Sequence, residues 1–290
     1  MAMSPRLLRP VASAFHPEAQ VWRNAVVGGG GSVSIATLKA VSDFCKAIDQ
    51  AGIRSKFRRL NLFCGTSDAS LVAVRTPLYR GESRTGTQYG NAIDTNLNFA
   101  QGDYAETGAS GGLLGNGTSK YLNTGFNVDQ FPGAANCHLS AYVRGTQSVS
   151  GPMGVIGAIF NGVSDRYRIG FNTSTAGNFN TNSELGKDNQ ITSQRANTDD
   201  GLYTLSRTST TSLTHYNDST SFGTNTANAA ETTGAFPIFV FARNTASNAP
   251  AEYYNGRMAA YSIGAGMSGA EVTSYYTALQ AFQTALSRNV

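Results

Sequence analysis

The chain has 290 residues, enough to bury a full core, with 14% charged residues, 32 glycines and a formal net charge of +4. Low charge beside 40% apolar residues excludes a disordered chain, and no apolar run approaches the roughly 18 residues that span a bilayer. Abundant glycine and 10% aromatics suit an all-β protein with many turns.

The opening "MAMSPRLLRPVASAF" carries arginines but no apolar stretch long enough for a secretory signal, so export by the usual route is not expected. "HPEAQVWRNAVV" places Pro17 at a first helical position, where its missing N–H costs nothing. "GGGGS" then reads as a helix stop followed by a helix start. Ser34 is a good N-cap, with Val33 and Leu38 at staple spacing. Ile35, Leu38, Val41, Phe44, Cys45 and Ile48 recur every three or four residues, and Gly52 ends the run.

"RLNLFCG" (59–65) reads as a short strand. Residues 66–112 form a Gly/Thr/Asn-rich crossing whose length argues that it wraps over the body. From about residue 113 the period becomes two. "CHLSAYVR" sets Cys137, Leu139, Ala141 and Val143 against His138, Ser140, Tyr142 and Arg144, as a half-buried strand would. "RYRIGF" sets Tyr167, Ile169 and Phe171 against Arg166 and Arg168, whereas "FPIFVFAR" (236–243) is apolar on both faces, as a strand covered on both sides would be. Asn-Gly pairs at Asn116, Asn161 and Asn255 predict tight hairpin turns. "YNGRMAAYSIG" is a final strand, and Ser268 with Glu271 forms a capping box. Val272, Tyr275, Leu279, Phe282 and Leu286 then make one buried helical stripe.

These elements predict a mainly β protein: an antiparallel jelly-roll β-sandwich preceded by a short helical N-terminal region and closed by a C-terminal helix. The expected organisation is a helical arm and docking region over 1–65, the crossing over 66–112, and the jelly-roll with its helix over 113–290. Residues 110–285 resemble the concanavalin A-like lectin/glucanase superfamily in its laminin-G-like branch. The resemblance is carried by "GNGTSKYLNTG", "HLSAYVR", "LYTLSRTSTTSLTHYND" and above all "EYYNGRMAAYSIGAGMSGAEVTSYY". It implies two facing antiparallel sheets and allows glycan binding. "SPRLLRP" and "GIRSKFRRLNLFCG" ahead of such a domain resemble structural proteins of tailed bacteriophages.

Candidate chemistry is sparse. Glucanases of this superfamily carry catalytic carboxylates two apart on one strand, and no two acidic residues here stand at i and i+2. "GASGG" (108–112) matches a nucleophile-elbow pattern but precedes "LLGNG", not a helix, so a turn is expected. The three histidines are isolated, and Cys137 and His138 point to opposite faces of their strand. "NTDDG" (197–201) could offer oxygens to calcium and reads better as a solvated turn. Cys45, Cys64 and Cys137 are odd in number and far apart, which suits buried reduced thiols. No catalytic residue, metal site or cofactor is expected, no ligand-binding residue stands out, and the chain is not expected to be an enzyme.

Residues 1–100 hold 12 Lys/Arg against 6 Asp/Glu, while 101–290 hold 10 against 12. Arg6, Arg9, Arg54, Lys56, Arg58 and Arg59 are therefore the candidate docking residues. Without interleaved aromatics, nucleic acid is not the expected partner, and neither is a membrane. The resemblances imply a phage virion structural protein: a capsid-decorating or tail component, assembled in the host cytoplasm and displayed on the particle surface. It would dock to other virion proteins through its N-terminal third and form a homo-oligomer. The alternatives are a carbohydrate-binding adhesin that recognises a surface glycan and, disfavoured by carboxylate spacing, a glycan hydrolase.

Overall fold

The computed structural model describes residues 15–145, 151–160, 165–173, 178–187, 190–196, 200–227 and 234–290. It opens with α1 (Pro17–Gly28) and α2 (Ile35–Gln50), then β1 (Phe57–Asn61), a single turn α3 (Val72–Arg75), and short strands β2 (Thr95–Leu97), β3 (Tyr104–Ala105) and β4 (Gly112–Leu114). There follow β5 (Tyr121–Asn127), β6 (Cys137–Arg144), β7 (Met153–Phe160), β8 (Asp165–Thr173), β9 (Asn178–Thr181), β10 (Glu184–Lys187) and β11 (Gln194–Ala196). The chain ends with β12 (Gly201–Ser209), β13 (Ser212–Asn217), β14 (Thr220–Asn225), β15 (Pro237–Val240), β16 (Arg243–Asn244), β17 (Pro250–Ala251), β18 (Arg257–Gly264) and α4 (Gly269–Ala285).

The helix signals act as their chemistry requires. Pro17 opens α1, Ser34 Oγ accepts from Thr37 N at the start of α2, and Gly52 takes a φ of +69° just past its end. Ser268 and Glu271 cap α4 reciprocally, and the whole stripe from Val272 to Leu286 is buried.

The strands form two sheets of a β-sandwich. One runs β14-β13-β12-β6-β18-β4-β3, with β1 also paired to β18; the other runs β11-β9-β8-β7-β15-β5-β2, with β10 on β8 and β16 on β7. Named pairs are antiparallel apart from the short β16–β7 contact. Leu139, Ala141, Val143, Ile169, Phe171, Tyr203, Ile238 and Val240 fill the space between the sheets. A second core lies on the back of the first sheet, where α1, α2 and α4 bury Trp22, Val41, Phe44, Tyr142, Leu202, Tyr275 and Phe282. Phe57 meets Tyr275 edge-on at 4.9 Å, and Phe44 meets Phe282 at 6.0 Å.

This three-layer order reverses one strand expectation and meets another. β6 alternates as predicted, yet all eight of its residues are buried because the helices cover its second face. Its polar residues are therefore paired: His138 Nδ1–H donates to Ala265 O at 2.7 Å, so Nε2 accepts from Ser262 Oγ at 2.8 Å. Tyr142 OH donates to Gln280 Oε1 at 2.6 Å. β15, expected to be covered on both sides, is buried on both: Ile238 and Val240 enter the core between the sheets, and Phe239, on the other face, is buried against Tyr121. Of the expected hairpin turns, Asn116–Gly117 is a turn, with Gly117 at φ +72° and Asn116 Oδ1 accepting from the backbone N–H groups of Thr118, Ser119 and Lys120, but it joins β4 to β5 across the two sheets and closes no hairpin. Asn161 lies outside the described residues, and Gly256 does not take the positive φ of a tight turn.

The crossing at 66–112 is held by a buried charge. Arg59 and Asp94 are both fully buried and paired at 2.5 Å, and Asp94 also accepts from Tyr261 OH and Asn61 Nδ2. Arg59 spends its other donors on Tyr261 OH, Tyr89 O and Asn91 O. Burial pulls the Arg59 pKa down, but the Tyr261 and Asp94 oxygens outweigh it and hold the group above its ordinary value. Arg288, equally buried, donates to Leu62 O, Phe63 O, Ala259 O and Gln283 Oε1. Two guanidiniums thus fasten residues 59–63 to the crossing and to the C-terminal segment.

Removing one member of the Arg59–Asp94 pair leaves an uncompensated buried charge. Arg59→Met or Asp94→Leu should each lose about 3–5 kcal/mol of unfolding free energy in urea. The double substitution should lose clearly less than the sum; strict additivity would show that the pair is not coupled.

Acid should destabilise the fold through its buried histidines. Burial lowers His138 to about 4 and His215 to about 3, the latter also opposed by the Arg195 charge. Unfolded histidine titrates near 6.5, so below that pH the unfolded chain takes up protons that the folded one refuses. Stability should be full above about pH 6.5 and fall as pH drops toward about 4, by ~2 kcal/mol per histidine at pH 5. His215, whose ring packs between Tyr203 and Phe222, should yield its share of that slope when replaced by Phe. Equal stability at pH 7 and pH 5 would contradict this.

Candidate functional site

The helices cover one sheet of the sandwich, which leaves the outer face of the other as the place to look. On β5, Leu122, Thr124 and Phe126 are buried inward while Tyr121, Asn123 and Asn127 alternate outward and stay half-buried. Tyr121 lies 4.8 Å from Phe239 and 6.2 Å from Tyr253, so three rings from β5, β15 and the 252–255 turn make one aromatic ledge. The turn is fixed by Glu252, which adopts a left-handed φ of +52°, and by a bridge from Tyr253 to Gly154 on β7.

Beside the ledge runs a row of alternating charge. Arg166 Nη1 meets Glu184 Oε1 at 3.0 Å, and Arg168 reaches Glu184 at 3.7 Å and Glu252 at 3.1 Å. Arg243 binds both oxygens of Glu252 at 2.8 Å. Burial lowers the Arg168 pKa against the pull of Glu184 and Glu252. Glycine makes this arrangement possible: a Cβ on Gly157 would stand 2.5 Å from Arg168 Cβ and 2.4 Å from Tyr167 O.

At the end of this row, where Glu252 sits, a cleft of about 360 Å³ opens between the Asn116–Thr118 turn, residues 151–153 and residues 252–255. Its lining includes Thr118, Met153, Glu252, Tyr253 and Asn255. That combines a ring face, a thioether, a hydroxyl, an amide and a carboxylate around a hollow of ligand size. Such a set can stack on the apolar face of a sugar ring and exchange hydrogen bonds with its hydroxyls.

The sequence-predicted docking residues lie elsewhere, and the described ones are engaged within the chain. Arg54 forks onto Glu18 at 2.8–2.9 Å and sits 3.7 Å above the Tyr79 ring. Lys56 contacts Glu271 at 3.0 Å and Gly266 O, and Arg58 takes Glu82 at 2.6 Å and Gln130 O. Arg59 is wholly internal. The run "RSKFRR" is thus a set of internal ties, because each cation meets a partner distant in sequence; this corrects its reading as a free basic patch. Arg6 and Arg9 lie outside the described residues.

The remaining motifs resolve as structure. His16, Glu18 and Cys45 come close enough together to hold a metal ion. Each is otherwise occupied: His16 Nε2 pairs with Asp49 at 2.8 Å, Glu18 holds Arg54, and burial pushes the Cys45 thiol up to about 12. "GASGG" forms the turn between β3 and β4, and Gly108 N donates to Leu286 O. Within "NTDDG", residues 197–199 lie outside the described residues, and Asp200 Oδ2 accepts from Gly145 N. All three cysteines are buried free thiols.

Sequence reasoning placed Arg166 and Arg168 away from the core but missed Tyr121, Phe239, Glu252 and Tyr253. Only the period-two alternation of "YLNTGFN" hinted that Tyr121 faces outward.

No family model and no curated protein matches the chain. Among solved structures it is similar to a mutant of Trypanosoma rangeli sialidase displaying trans-sialidase activity, at a TM-score of 0.50 and 10% identity, covering 84% of this chain and 39% of that one. It is also similar to tailspike protein 2 of Escherichia coli O157:H7 bacteriophage CAB120 (TM-score 0.41, 14% identity, 67% and 28% covered). A third is the NanB sialidase of Streptococcus pneumoniae (0.40, 13%, 56% and 27%). The chain thus spans about two fifths or less of these proteins, and at such identities the likeness concerns the fold alone: a β-sandwich. It corrects one expectation. The chain was expected not to be an enzyme because it lacks the i, i+2 carboxylate pair, yet sialidases are among the structures it is similar to. Sialidases use a tyrosine nucleophile and fall outside the paired-carboxylate rule, so the missing pair excludes only hydrolysis of the paired type.

Proposed function

We propose that this chain is a glycan-binding protein of a bacteriophage particle surface, with the sugar seated on the open sheet around Tyr121, Tyr253, Glu252 and Asn255. The carrying observation is the cleft on the outer side of the second sheet, where the half-buried Tyr253 and its neighbour Tyr121 adjoin polar groups while helices cover the opposite sheet. Fold alone does not select this function; the site supports it. Rings at this spacing offer an apolar platform, and the charged row holds Glu252 rigid enough to orient a hydroxyl.

The particle half of the reading rests on the resemblance of "SPRLLRP" and "GIRSKFRRLNLFCG" to tailed-phage structural proteins. With the 54–59 run committed internally, docking to other virion proteins falls to the residues ahead of α1, Arg6 and Arg9 among them. The protein is read as a homo-oligomer on a capsid or tail, assembled in the host cytoplasm.

A glycan array of host-surface oligosaccharides probed with the purified chain should give saturable binding to at least one glycan. Tyr253→Ala and Tyr121→Ala should each weaken it roughly tenfold or more, the effect of removing a central aromatic contact, measured at a temperature where both variants remain folded by circular dichroism. No binding, or binding indifferent to both substitutions, would overturn the sugar site. Antibody labelling of purified particles should decorate heads or tails in a regular pattern; unlabelled particles would sink the virion assignment alone.

A further inference from the structure

The helical side of the molecule carries a second cleft, of about 300 Å³, between α1 and residues 76–93. Val21, Trp22, Ala25, Leu78 and Ile93 give it an apolar lining, and Val21 remains half exposed there. Trp22 is the only tryptophan in the chain and is fixed by a 3.0 Å bond from Nε1 to Thr76 O. One end of the cleft adjoins a smaller polar hollow that shares Leu78, Arg80 and Gln88 and adds Arg84.

The cations at that end lack a counter-charge. Glu18, the carboxylate nearby, is committed to Arg54. Arg80 gives one donor to Gly90 O at 2.8 Å, while its Nε is buried with no acceptor. Burial and the neighbouring Arg59 charge lower the Arg80 pKa against the pull of Asp94, whose carboxylate is paired with Arg59. Arg84 stands exposed beside it.

We propose that this cleft binds a small amphiphilic carboxylate, with its apolar chain against Trp22 and Ile93 and its carboxylate on Arg80 and Arg84. An apolar trough closed by two under-compensated guanidiniums selects that chemistry in two ways. A neutral amphiphile would leave the Arg80 and Arg84 guanidiniums without an anion, and a cationic one would be repelled. This site is separate from the open sheet face and independent of the sugar reading.

Trp22 makes the test direct. Sodium decanoate, titrated into the full chain below its micelle-forming concentration, should change the tryptophan emission saturably with one site per chain. Decyltrimethylammonium and decanol should bind at least tenfold more weakly. Arg80→Gln should weaken decanoate roughly tenfold, the scale of one charge-assisted hydrogen bond. Ala25→Phe, which fills the trough from an exposed helix position, should abolish binding while leaving the thermal melt in place. The proposal is overturned by no saturable change with decanoate, by equal affinity for the cationic or neutral amphiphile, or by unchanged binding in the Ala25→Phe protein.

Discussion

The buried contact between Arg59 and Asp94 is the constraint on which much of the fold depends. Two charges taken out of water are tolerated only if every remaining donor and lone pair is met. Meeting them requires Asn61 from β1, Tyr261 from β18, and the carbonyls of Tyr89 and Asn91 from the crossing segment at one point. The long Gly/Thr/Asn-rich stretch, which also buries Leu71, Val74, Leu78, Phe99 and Tyr104, is thereby held in register against the sandwich. Once there, it contributes β2 to one sheet and β3 and β4 to the other.

The second organising fact is asymmetry. Three helices cover one sheet, so its central strand β6 is buried on both faces and its polar side chains are drawn into bonds with α4 and the β18–α4 connection. On the outer side of the other sheet the residues pack on one another: Phe239, Arg168 and Glu184 are buried and Tyr121 is half-buried. Aromatic rings and arginines are held there by ring contacts and by ion pairs with Glu184 and Glu252. Glycines in β7 leave room for the backbone and Cβ atoms of Arg168 and Arg243 to come close.

That division also separates the two surfaces with something to bind. The open sheet offers rings beside a polar cleft, as a sugar would require. The helical side offers an apolar trough with cations at one end. The sandwich itself is shared in outline with a sialidase at 10% identity, which leaves function to be argued from these sites and not from the scaffold.

The sequence by itself determined the local structure. Pro17, Ser34, Gly52 and the Ser268–Glu271 box set the helix ends through capping chemistry acting over a few residues, and period-two alternation marked β6 and β8. It therefore determined the sandwich class and the closing helix too. Only the tertiary structure decided which sheet would be covered, since β6 shows the same alternation whether its second face meets water or helices. It likewise decided the fate of the basic run: Arg54, Lys56, Arg58 and Arg59 look like a surface patch until Glu18, Glu271, Glu82 and Asp94 are brought to them from up to 215 residues away. The candidate site was hidden for the same reason. Tyr121, Phe239 and Tyr253 are neighbours only because strand pairing, which depends on hydrogen bonds between distant segments, sets them side by side.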